Sequence, residues 1–327
     1  MNSAQRLVGS ILRRGVPWTL TWSLLAAPLF AQTLPQGGKV VAGGASIGKA
    51  SAAGLTVQQS SNRAVIDWNS FSIGLGETVN FVLPGASSAT LNRVTGSTTS
   101  AIAGELHSNG ELYLINPNGI EITPTGVINT QSFTASALVI SDIDFLSGRN
   151  LFTGNGNSAA VTNQGLISVA PAGSVLLLGG IVTNGGSIFA PGGKVGLGAG
   201  ESVSVDLEGD QFLTVSVPSA NVPLLQALIT QSGRIQASGG QVSLRAATSV
   251  DVARAAIQVS GEIDAGDVIQ SADGVDFGRV RVPVSPGGTV SIDGNGSSVR
   301  FCQGSAPVKV NGLYRSLAIA AHETAAK

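Results

Sequence analysis

"VTNQGLI" (residues 161–167) returns as "VTNGGSI" (182–188), 21 residues further along the chain. Looser copies are "ITQSGRI" (229–235) and "IQVSGEI" (257–263), and "TGVI" (125–128) reads as an earlier member. A second element follows each copy: "GSVLL" (173–177), "GKVGL" (193–197), "GQVSL" (240–244) and "GTVSI" (288–292). Strand, glycine turn, strand, glycine turn therefore recur about every 20 residues, with longer excursions between some copies. A period of that size marks a stacked-repeat architecture. Strands this short cannot stand alone; they find partners only in the coils above and below, about 4.8 Å away. In such a stack Val175, Val195, Val242 and Val290 point inward as one aliphatic column. Asn163 and Asn184 fall on equivalent positions, as expected of a polar turn ladder. The expected fold is all-β, a parallel β-helix.

An open terminal coil would expose strand edges and core, so the ends need cover. Residues 40–115 carry alternating strands without a clear repeat: "KVVAG", "AVIDW", "ETVNFVL", "ATLNRVT" and "ELYLI". They read as an N-terminal cap over about 32–115 that merges into the first coils. The stretch "ESVSVDLEGDQFLTVSVPSANVPLLQAL" (201–228) interrupts the repeat and is expected as a β-hairpin lying against the solenoid. The β-helix domain is expected to run over 32–300. From Phe301 the pattern fades into a tail, 301–327, whose "YRSLAIAAHETAAK" (314–327) suits a short helix or a loose end.

Composition agrees. Charged residues are 11% of the chain, against roughly 25% in an average domain. Glycine accounts for 44 of 327 residues, and the net charge is -1. This balance offers no basic footprint for nucleic acid. Arg6, Arg13 and Arg14 precede "VPWTLTWSLLAA" (Val16–Ala27), an apolar run too short to span a bilayer comfortably. Residues 1–31 are expected to be a signal peptide cleaved after Ala31, so that the mature chain starts near Gln32 and leaves the cytoplasm. Cys302 is the only cysteine, either a small buried apolar residue or a thiol for an intermolecular link.

The motif that points to function is "LINPNGIEIT" (114–123). Asn116, Pro117, Asn118 and Gly119 suit the four positions of a tight turn between two strands. Asn116 can bond the backbone two residues on, Pro117 fixes φ, Asn118 tolerates the third position, and Gly119 accepts positive φ. "LINPNGIEITPTGVINTQSFTASALVIS" (114–141) resembles the signature of the two-partner secretion domain of filamentous haemagglutinins and related exoproteins (TpsA proteins). "AVIDWNSFSIGLGETVNFVLPGASSATLNRVTG" (64–96) resembles the stretch before it, notably the spacing of Trp68, Phe71 and Ile73. The likeness covers roughly 38–250 and is strongest to the high-molecular-weight adhesin branch.

That resemblance implies a right-handed β-helix with an N-terminal cap. It also implies export through the periplasm to the outer surface or the medium, by a dedicated outer-membrane TpsB transporter. The transporter's POTRA domains recognise the chain, and its sixteen-stranded barrel exports it unfolded. Asn116, Pro117, Asn118, Gly119 and Ile120 would belong to the secretion motif, acting through the fold of the cap or through direct contact. Trp68, Phe71, Ile73 and Asn92 are candidates for cap and core. The Asn-Pro-Asn-Leu motif of some relatives has no counterpart at "TLNRVTG", where Asn92 and Arg93 stand. Mature family members are mostly adhesins, so a host-cell receptor or glycan is a further expected partner.

Parallel β-helices also host polysaccharide-cleaving enzymes, whose sites need clustered acids. Here Asp67, Glu77, Glu105, Glu111, Glu121, Asp142, Asp144, Asp206, Glu208 and Asp210 are scattered. "DLEGD" (206–210) could hold Ca²⁺ weakly but reads as a solvated hairpin tip, and "SDID" (141–144) reads the same way. His107 and His322 form no metal-spaced cluster. A secreted exoprotein without catalysis, metal or cofactor is the expectation, and a surface carbohydrate-active enzyme is the alternative.

Overall fold

A computed structural model describes residues 34–51, 54–156, 158–208, 212–218, 227–247, 257–272, 284–294 and 308–311, the backbone alone for 266–272 and the last two stretches. The expected signal peptide, Asp210, Cys302, His322 and the residue 314–327 tail lie outside the described residues.

The chain is a right-handed parallel β-helix with three faces. The first face stacks Ser100–Ile102, Ile120–Ile122, Ala160–Asn163, Ile181–Asn184, Ile229–Gln231 and Ile257–Val259. The second stacks Gly54–Gln59, Thr78–Val82, Glu105–Ser108, Val127–Thr130, Leu166–Val169 and Ser187–Phe189. The third stacks Arg63–Trp68, Ala89–Val94, Glu111–Ile115, Ser132–Ser136, Ser174–Gly179 and Lys194–Ala199. Arg234–Ala246 and then Glu262–Ala272 each bend from the second face to the third, and Val284–Gly294 and Val308–Asn311 extend the third.

The glycine of each repeat sits at a corner where coils nearly touch. A Cβ on Gly186 would overlap the carbonyl of Gly165, one on Gly233 that of Gly186, and one on Gly261 that of Gly233. Only a residue without a side chain lets these corners stack at sheet spacing. Inside, Val175, Val195 and Val242 pair in register and are fully buried, as expected. The backbone of Val290 continues that register between Val268 and Val308. The expected Asn ladder lies within the core rather than on a turn surface. Asn163, Asn184 and Gln231 end successive first-face strands and are all fully buried. The Asn163 Nδ2 donates to Asn184 Oδ1 at 2.7 Å, and Asn184 Nδ2 donates to Gln231 Oε1 at 2.7 Å. Gly165 N donates into one end, and Gln231 Nε2 donates to Gly233 O at the other. Each buried amide thereby finds the partners that burial demands.

At the amino end, Lys39–Ala42 lies antiparallel on Arg63–Trp68, Ala45–Ile47 lies antiparallel on Gly54–Gln59, and Gln36 bridges Ser70. Beneath them Trp68, Phe71 and Phe81 form an aromatic plug, with Trp68 edge-on to Phe71 at 5.6 Å. The expected cap over about 32–115 thus divides. Antiparallel cover lies within 36–59 and its partner strand, and parallel stacking already begins at Gly54. Ser100 pairs with Ile120, Glu105 with Val127, and Ala89 with Glu111, so a step of 20 to 22 residues is present there. Register persists where the side chains themselves do not repeat.

The third face is covered outside as well as inside. Val139–Ile140, Asn150–Thr153, Ser202–Val205 and Leu213–Val217 form an antiparallel four-stranded sheet beyond the solenoid. The expected hairpin is its second half. Its first half comes from an unanticipated excursion between coils. "SDID" is not a solvated hairpin tip: Ser141 caps the helix Asp142–Leu146, its Oγ accepting from Asp144 N at 3.0 Å. Serine followed three residues on by an acid is a capping pattern. Between the layers Tyr113, Phe145, Phe152, Leu176, Leu178, Phe212 and Leu213 form a second core. A sheet buried on both faces explains why "SVLLLG" is buried at every residue.

Candidate functional site

Asn116–Gly119 is the corner between the third-face strand Glu111–Ile115 and the first-face strand Ile120–Ile122. Gly119 N donates to Asn116 O at 2.9 Å, which closes the turn, and Gly119 takes φ +105°. Asn118 N donates to Asn116 Oδ1 at 2.9 Å, the local bond expected of asparagine there. Asn116 N donates to Ser136 O of the next coil at 2.9 Å, and other bonds reach one coil back. Asn116 Nδ2 donates to Thr98 O and to Ser100 Oγ, each at 2.9 Å. Asn118 Nδ2 donates to Gly96 O at 2.8 Å, and Thr99 Oγ1 returns a bond to Asn118 O at 3.0 Å. Asn118 Nδ2 also lies 3.0 Å from Asn116 Oδ1.

Both amide hydrogens and both oxygen lone pairs of Asn116 are therefore engaged. Asn116 is fully buried and Ile120 is 2% exposed, whereas Pro117 is half-buried and Asn118 faces solvent. The motif has an inner half that staples two coils and an outer edge that is accessible. The stapled partner, "TGSTTS" (95–100), went unremarked in the sequence; its run of small hydroxyl residues one coil earlier is the signal that could have found it.

Trp68, Phe71 and Ile73 are each 1% exposed and belong to the core. Asn92, 2% exposed, accepts from Trp68 Nε1 at 3.0 Å and donates to Tyr113 O at 3.3 Å, so it serves the plug rather than a surface. Its neighbour Arg93 reaches Asp67 at 2.8 Å and Asp142 at 2.6 Å, tying the first excursion to the second coil.

The scattered acids are used locally. Asp144 pairs with Arg149 at 2.8 Å and Glu105 with His107 at 2.9 Å. Glu77 Oε2 accepts from Gly74 N, and Asp206 Oδ1 from Glu208 N. Burial pushes the Glu111 carboxyl above its ordinary range, against the pull of Arg63. It raises the Tyr113 hydroxyl strongly too. Glu201, missed in the sequence, is 5% exposed and accepts from Gly156 N, Ser158 N and Ser158 Oγ at 2.7–2.9 Å. It pins the loop of the first excursion to the start of the second. Among the described residues no three His, Cys, Asp or Glu side chains are grouped to hold a metal ion.

Comparison with known proteins places this geometry. The TPS secretion domain family matches residues 31–298. A heme/hemopexin-binding protein of Haemophilus influenzae is 35% identical over 199 residues, which is 57% of this chain and 21% of that protein. A second heme/hemopexin-binding protein from Haemophilus influenzae is 38% identical over 132 residues, 40% of this chain and 14% of the relative. The match spans about a fifth of those relatives or less. Among solved structures, the HMW1 secretion domain from Haemophilus influenzae is similar with a TM-score of 0.68 and 28% identity, over 85% of this chain and 74% of that one. The filamentous hemagglutinin secretion domain shares the fold, with a TM-score of 0.54 at 15% identity, over 87% and 94% of the two chains. The chain belongs to the two-partner secretion (TPS) domain family of filamentous-haemagglutinin-like exoproteins.

Proposed function

We propose that this domain is both the address read by an outer-membrane TpsB transporter and the nucleus on which the exported chain folds. The family implies the transporter. Recognition by its periplasmic POTRA domains, and delivery by a cleaved signal peptide over residues 1–31, are this reading's own steps. The observation that carries it is the division within the secretion motif: Asn116 is spent on joining two coils, and Pro117 and Asn118 remain at the surface. In this reading Asn116 acts through the fold and the Pro117–Asn118 edge acts through contact. The sealed amino end supports nucleation, because coil contacts are local and each completed coil templates the next. Folding outside the cell would then oppose back-sliding and bias transit without ATP.

The relatives' names put haem and hemopexin first among ligands to test, ahead of host-cell adhesion. Co-expression with and without the cognate transporter, followed by assay of the medium, tests the central claim. Release that depends on the transporter supports it, and equal release in both cases removes it. Asn116→Ala is expected to impair folding and release together. Asn118→Ala gives up the bond to Gly96 O at the exposed edge and keeps the buried ones of Asn116, so it is expected to fold with a small loss of stability while binding purified POTRA domains less well.

A further inference from the structure

The three faces are not treated alike: the outer sheet and helix cover the third, while among the described residues no sheet or helix lies over the outer surface of the second. Along one outward column of that surface Glu105, Val127, Leu166, Ser187 and Arg234 stand on five successive rungs, in register. Leu166 is 41% exposed, and Phe189, 39% exposed, stands one rung further on in the adjacent column. Val127, Leu166 and Phe189 thus make an apolar centre. Glu105 lies two rungs to one side and Arg234 two rungs to the other, each about 10 Å from Leu166. Their ion-pair partners leave both charges largely in solvent. Glu105 meets His107 at 2.9 Å with 55% of its side chain exposed, and Arg234 reaches Glu262 only at 3.5 Å with 53% exposed.

Opposite charges at equal distances from an apolar centre are self-complementary. We infer that the second face is an interface between two copies of this chain, related by a two-fold axis running along the strands through Leu166. That rotation reverses the order of rungs and keeps the column in place. Leu166 then packs on its equivalent, Val127 faces Ser187 of the second copy, and Glu105 faces Arg234 of the second copy, twice per dimer. An apolar centre with a polar, complementary rim is the usual anatomy of a specific interface. The isologous arrangement closes on itself and cannot grow into fibres. Rungs at about 4.8 Å and strands of three to six residues offer less area than a standard interface, so the dimer is expected to be weak, with a dissociation constant of about 10–100 µM.

Sedimentation velocity of the purified mature protein, from about 1 to 300 µM, tests the inference across that range. A monomer–dimer equilibrium is expected. Arg234→Glu or Glu105→Arg alone should weaken it about tenfold, since each change places like charges together at two sites. The double exchange Glu105→Arg with Arg234→Glu should restore it to within about threefold of the parent. Leu166→Lys should leave only monomer. All three side chains are exposed, so circular dichroism should show an unchanged fold. A parent protein that stays monomeric throughout, single variants that dimerise as the parent does, or an exchange that restores nothing would each overturn the inference.

Discussion

Replacing Asn184 with Val tests whether the buried amide ladder is held by its own hydrogen bonds. Asn184 accepts from Asn163 Nδ2 and donates to Gln231 Oε1, both at 2.7 Å, and all three side chains are fully buried. Valine fills much of the volume but removes both bonds. It leaves a donor on Asn163 and an acceptor on Gln231 unpaired at fully buried positions. An orphaned buried polar group costs about 1–3 kcal/mol, so the substitution should cost about 2–6 kcal/mol. Replacing Asn163, Asn184 and Gln231 together with Val should cost less than the single change. The same column already holds Ile73, Ile102 and Ile122 on one side and Val259 on the other, so an aliphatic stack fits the site. Only Gly165 N then loses its partner, since Gly233 O keeps the bond from Glu262 N at 3.0 Å. Urea unfolding followed by far-ultraviolet circular dichroism gives both values. A single variant within about 0.5 kcal/mol of the parent, or a triple variant costlier than the single, would show that the ladder is not a coupled network.

Gly186→Ala should destabilise by about 3 kcal/mol or more, or prevent folding, because its Cβ would overlap the Gly165 carbonyl and backbone cannot yield as a side chain does; thermal unfolding beside Gly192→Ala, which meets no neighbour but strains a positive φ, separates crowding from strain. Ser141→Ala removes the cap of the helix Asp142–Leu146 and should cost about 1 kcal/mol, read by chemical denaturation. Glu111 has its carboxyl raised by burial, so the charged form is disfavoured in the fold. Its contribution is therefore fullest in acid and is lost as pH rises through the raised value. Glu111→Gln should stabilise the domain at pH 7 and lose that advantage at pH 4, which melting at the two pH values checks. Glu201→Ala strands two backbone amides, Gly156 N and Ser158 N, and should speed proteolysis in the loop 154–158 before the solenoid itself is cut.

The coil count was legible from residue 161 onward because glycine corners and inward valines recur there as letters. The corners admit no other residue, so the sequence must repeat itself. Before residue 136 the same coils are built with Leu112, Phe133 and Thr90 in the column that later holds valine, so the pattern hides while the register continues. The first excursion was missed because its strands, Val139–Ile140 and Asn150–Thr153, are too short to show alternation. Its helix, Asp142–Leu146, is a single turn and a half whose only local signal is Ser141 and Asp144 at capping distance. The turn at Asn116 was legible from residue types alone. Its bonds to Thr98 and Ser100 were not, because they join residues one coil apart that no local pattern connects.

The outer sheet makes an otherwise neighbour-by-neighbour column wait for a distant piece. Asn150–Thr153 pairs with Ser202–Val205, and two whole coils, from 160 to 199, lie between them in the chain. A chain emerging amino end first therefore passes through a stage in which Leu176 and Leu178 are already in place but unroofed, beside an unpaired strand edge. Any pause there presents a sticky seam to neighbouring chains. Swift delivery of residues 200–217 should matter more to yield than the speed of any other segment.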